Sequence, residues 1–62
     1  MKTLHSLAEE AYAKRLLWGD IAEDPQALKD RGIHKEVAVR MNYFYRGRYE
    51  ALMDAVELEE VK

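Results

Sequence analysis

Cysteine is missing from this sequence altogether, proline occurs once and glycine three times, and each shortage closes a route. With no cysteine, no disulfide can staple the chain and no thiolate can ligate a metal. The two histidines, His5 and His34, stand in no HExxH or other zinc-ligand spacing. So little proline and glycine leaves few residues for the tight turns of a β fold. No apolar run approaches the ~18 residues that a membrane helix needs. Residues 1–11 contain Glu9 and Glu10 and no signal-peptide core. A cytoplasmic protein is the expectation from these absences.

Catalytic groups are equally scarce. There is no glycine-rich phosphate loop, no nucleophile elbow and no cysteine nucleophile. Ser6 is the only serine and Thr3 the only threonine, and both read as helix caps. His5 beside Ser6 is no catalytic pair, because neighbouring side chains on a helix diverge. Glu50, Asp54 and Glu57 share a helix face at i, i+4, i+7, but divalent sites draw ligands from more than one element. The expectation is a protein that is not an enzyme, with no cofactor, metal or small-molecule substrate.

What the chain does contain is a globular mixture of 48% hydrophobic and 35% charged residues, which is not a disordered composition. Its net charge of −2 argues against strong non-specific binding to nucleic acid. Sixty-two residues allow a single domain, and a chain this short buries only about 60% of its unfolded surface. Without disulfide or metal, stability must come from long, well-packed helices or from association.

Three helical segments are predicted. The first covers about 3–18, with Thr3 and Ser6 as alternative N-caps and Ser6–Glu9 spaced as a capping box. Glu10 and Lys14 stand at i, i+4 in the favourable order. Gly19 is a natural stop, although Ile21 and Ala22 extend the pattern if the helix continues. Placed at 100° steps, Leu4, Leu7, Ala8, Ala11, Trp18 and Ala22 share one face, which Tyr12, Leu16 and Leu17 do not join. A helix apolar on more than one face implies more than one neighbour. Ala8 and Ala11 leave room for a second backbone. The second segment, about 25–31, opens with Asp24 as N-cap and Pro25 at the first helical position. It closes at Gly32 and turns the chain around.

The third segment is long, about 34–58, with an acidic end over 59–62 expected to fray because it opposes the helix dipole. Ala38, Met41, Tyr45, Leu52, Ala55 and Val56 form its core stripe, with Val37 and Phe44 at the edge. Glu36 and Arg40 form a favourable i, i+4 pair. Arg48 falls inside the stripe and must either reach its edge or meet a carboxylate of Glu9, Glu10 or Asp20. Val39 and Tyr43 make a second apolar patch away from the stripe.

The fold expected is therefore all-α: a helical hairpin with a short connecting helix, pairing as a dimeric helical bundle that covers the surplus apolar faces. The expected function is a protein-interaction module, a regulator, adaptor or inhibitor that docks on a larger protein, with homodimerisation. Trp18, Val39, Tyr43, Arg46 and Tyr49 are the candidate contact residues, since aromatic and arginine side chains dominate binding hot spots. The alternative is a small nucleic-acid-binding regulator using Lys35, Arg40, Arg46 and Arg48 in the Arg/Tyr-rich stretch 40–49. The stretch around Gly32 has the outline of a helix-turn-helix, although bulky Leu28 and small Ala38 stand in reversed places.

Overall fold

The computed structural model of the chain describes residues 2–60. Three helices, α1 (Leu4–Glu23), α2 (Pro25–Arg31) and α3 (Lys35–Glu60), follow one another with minimal connections. α1 and α3 run antiparallel as the expected hairpin, since Tyr12 meets Tyr49 while Gly19 meets Asn42.

Local chemistry sets the boundaries. Thr3, not Ser6, caps α1, and its hydroxyl accepts from the Ser6 amide at 3.1 Å. Ser6 is already helical, so the alternative capping box does not form. α1 continues through Gly19 to Glu23, past the stop expected there. A helical glycine costs about 1 kcal/mol relative to alanine, and burial of Ile21 and Ala22 one turn later offsets that cost. Asp24 then serves two helices. Its amide donates to the Ile21 carbonyl at 3.2 Å, and its carboxylate accepts from the Gln26 and Ala27 amides at 3.0 and 3.4 Å, satisfying the exposed donors of α2.

α2 ends in a Schellman motif. Gly32 takes the left-handed conformation at φ 67°, which a side chain disfavours. Its amide reaches the Lys29 carbonyl, and the Ile33 amide reaches that of Leu28, both at 3.1 Å. This arrangement turns Leu28 and Ile33 toward the same core. α3 starts at Lys35, one residue later than expected, on the carbonyl of His34. It continues to Glu60, so residues 59 and 60 of the expected frayed end are helical, and 61 and 62 lie outside the described residues.

The contact between α1 and α3 is made chiefly of small side chains. Among the described residues, Ala8, Ala11, Ile21, Ala22, Ala38 and Val56 are buried, and no large side chain is fully enclosed. Larger groups close the connector end, where Trp18, Leu28, Ile33 and Val39 pack around Ile21, Ala22 and Ala38.

α3 faces α1 along a line rotated from its apolar stripe. Met41, Tyr45, Leu52 and Ala55 are half-buried as expected, and so are Asn42, Tyr49 and Met53 on the other flank. Phe44 and Val37 are instead exposed, at 57% and 41%. Arg48 is exposed too, so it is not a buried cation. Gly19 accommodates this facing. Asn42 sends its Nδ2 into the gap beside that residue and donates to the Arg15 carbonyl at 2.7 Å. A Cβ at position 19 would stand 3.0 Å from the same Nδ2. A glycine inside α1 thus allows a polar side chain of α3 to anchor the two helices in this orientation.

No helix among the described residues is long and apolar enough to cross a membrane.

Candidate interaction surface

The hairpin is a single layer, with Cα extents of 47 × 20 × 13 Å. A layer of helices has two broad sides, and in this one both carry large apolar groups.

Tyr12 and Leu16, at i and i+4 on α1, lie on one side, where the Tyr12 ring sits 5.3 Å from the Tyr49 ring, tilted at 48°. Leu16 is 50% exposed. Toward the connector, the same side forms a shallow depression lined by Gly19, Glu23, Lys35, Val39, Asn42 and Tyr43. Tyr43 stands over its margin, 62% exposed. Arg46, one turn from Asn42, is exposed and holds Glu50 loosely, Nε to Oε1 3.5 Å.

The opposite side is built differently. α2 packs at one end of it, with the Arg31 guanidinium 5.5 Å from the centre of the Trp18 ring. Farther along, Leu7, Lys14, Phe44, Tyr45 and Arg48 line a second depression, where Phe44 meets Tyr45 edge-on at 5.0 Å.

The five expected contact residues therefore divide. Tyr43 and Arg46 are exposed on the Leu16 side. Val39, expected in a patch away from the stripe, packs against the Ile21–Ala22–Ala38 core and shows only an edge in the depression. Tyr49 is half-buried against Tyr12. Trp18 is half-buried against the core on the opposite side, under Arg31. Lys35, Arg40, Arg46 and Arg48 are all exposed, but at 100° per residue they point in three directions around α3, and only Lys35 and Arg46 share a side.

The ion pairs among the described residues are Lys2–Glu10, at 2.6 Å, and Arg46–Glu50, so Glu10 is engaged by Lys2 and not by the expected Lys14. Among the described residues no group of three or more acidic or histidine side chains is placed to hold a metal ion.

Two features escaped the sequence pattern. Tyr12 and Leu16 were legible as misfits to the main face of α1, and their i, i+4 spacing was the available sign of a second surface. Asn42 gave no sign, because a lone asparagine on a helix carries no periodicity. The chain matches no protein-family model, and no curated protein or solved structure is detectably similar to it.

Proposed function

We propose that this chain is a protein-interaction module that acts by docking in the cytoplasm, as a regulator, adaptor or inhibitor, and not by catalysis. The observation that carries the reading is the placement of large side chains outside the hairpin. Leu16, Tyr43 and Phe44 are each at least half exposed, while the interior is filled mainly by alanine. Stable domains are ordinarily two or three layers thick around a core, and this one has a single layer. Exposed apolar surface marks a site of interaction where it gathers on one side, as Leu16 and Tyr43 do, and the depression beside Tyr43 has Lys35 and Glu23 at its rim, as interfaces do.

The test compares the wild-type chain with a Leu16→Asp/Tyr43→Asp variant as baits in its native host. Circular dichroism first establishes equal helicity. The reading expects a defined protein held by the wild type and lost from the variant. Recovery of the same proteins by both baits contradicts it.

A further inference from the structure

Resting on that reading, but on the side of the hairpin opposite Leu16, we propose that the depression lined by Lys14, Phe44, Tyr45 and Arg48 binds an acidic segment of a partner protein. The segment carries an apolar side chain between its carboxylates. The depression holds about 300 Å³ between two walls, with Leu7, Ala11 and Lys14 on α1 and Phe44, Tyr45 and Arg48 on α3. Phe44 stands edge-on to Tyr45 at 5.0 Å and is 57% exposed, so its ring is open to an apolar group.

Charge identifies the occupant. Each wall carries one cation, and neither is neutralised. The residues one turn from Arg48 are Phe44, Tyr45, Ala51 and Leu52, so no carboxylate of its own helix is placed to reach it. The acid one turn from Lys14 is Glu10, which also lines the depression but is held by Lys2 at 2.6 Å. Among the described residues neither Lys14 nor Arg48 forms an ion pair. By 100° steps, the acid on the same flank of α3 as Arg48 is Glu59, three turns and about 16 Å away. At the connector end α2 brings Arg31 over the Trp18 ring, while its Asp30 is bound by the side-chain amide of Gln26 at 2.9 Å. The middle of this side is therefore cationic in a chain of net charge −2. Unpaired cations beside apolar walls attract carboxylates more strongly than they do in open water. One cation on each wall matches carboxylates on both sides of an apolar residue. Two are too few for a nucleic-acid backbone or an anionic membrane, which are held by many lysines and arginines.

The test is an NMR titration of the full chain with a terminally blocked peptide of aspartate and glutamate around a central leucine–phenylalanine pair. The Phe44 ring and the Arg48 Nε–H are expected to shift. Affinity should exceed that of the matching asparagine and glutamine peptide by on the order of tenfold. Lys14→Glu/Arg48→Glu, with helicity unchanged by circular dichroism, should lose the acidic peptide and take its lysine counterpart, which a folding defect would not produce. Leu16→Asp/Tyr43→Asp should bind the acidic peptide as the wild type does, so this result stands apart from the test of the Leu16 side. The proposal is overturned by silent Phe44 and Arg48 resonances at millimolar peptide, by equal affinity for the acidic and amide peptides, or by a charge-reversed variant that keeps the acidic preference. Shifts of Phe44 and Arg48 on concentrating the protein alone overturn it in favour of a second copy, whose Leu58 stands among Glu57, Glu59 and Glu60. Displacement of the peptide by phosphatidylserine vesicles overturns it in favour of a membrane.

Discussion

The two ends of the hairpin are built to different standards. At the connector end three helices converge. Ile21, Ala22 and Ala38 are enclosed by Trp18, Leu28, Ile33 and Val39, Asp24 and Gly32 close the backbone, and Asn42 fastens α3 to α1. At the terminal end two helices touch through Ala8, Ala11 and Val56, with the Tyr12–Tyr49 ring pair beside them. The difference teaches where the fold is self-sufficient. The connector end has its own core, while the terminal end has small buried groups flanked by half-buried Leu4, Leu7, Leu52 and Met53.

The comparison is broken most severely at Ile21. Ile21→Ala is expected to cost about 2–4 kcal/mol through lost burial and a cavity, read as a drop in urea midpoint, whereas Val56→Ala at the other end should cost about 1–2 kcal/mol. Equal losses would mean that the ends are equally consolidated.

Next in size is the gradient of local stability. Amides of 18–22 and 38–42 should exchange with solvent more slowly than those of 5–10 and 53–58 when the protein is dilute, since local opening follows contact density. A uniform profile under those conditions would remove the distinction.

The smallest expected effects come from the helical glycines, and they sharpen the account of the anchor. Gly47→Ala meets nothing within 4 Å and should stabilise by about 1 kcal/mol from helix propensity. Gly19→Ala should fail to deliver that gain, because its Cβ crowds Asn42, and should deliver it once Asn42→Ala has removed the side chain. Additive effects of the two substitutions would dismiss the anchor.

Much of the fold was legible in the sequence for reasons these residues make plain. Asp24–Pro25 and Gly32 carry capping chemistry that acts over a few residues, so they place α2 without knowledge of the rest. Ala8 and Ala11 announce close approach because only small side chains permit it. Gly19 misled because its role is tertiary: the same residue that suits a helix end also makes room for Asn42. The rotation of α3, with Phe44 turned out and Tyr49 turned in, accompanies a contact 27 residues away in sequence. Periodicity gives the direction of the mean apolar face but not the position of the neighbour. The candidate surface was legible only in part for the same reason. Tyr43 and Arg46 were evident as exposed aromatic and cation, whereas Val39, Trp18 and Tyr49 are partly absorbed by the hairpin and its connector.

The homodimer expected from the surplus apolar faces is tested most directly by following side-chain NMR resonances on dilution from millimolar to low micromolar concentration. Pairing through the Leu16 side predicts concentration-dependent shifts for the Leu16 methyls and the Tyr12 and Tyr43 rings, with Leu17 and Leu58, on the backs of their helices, unmoved. Resonances independent of concentration, or shifts confined to Leu17, Leu58 and Phe44, would contradict it.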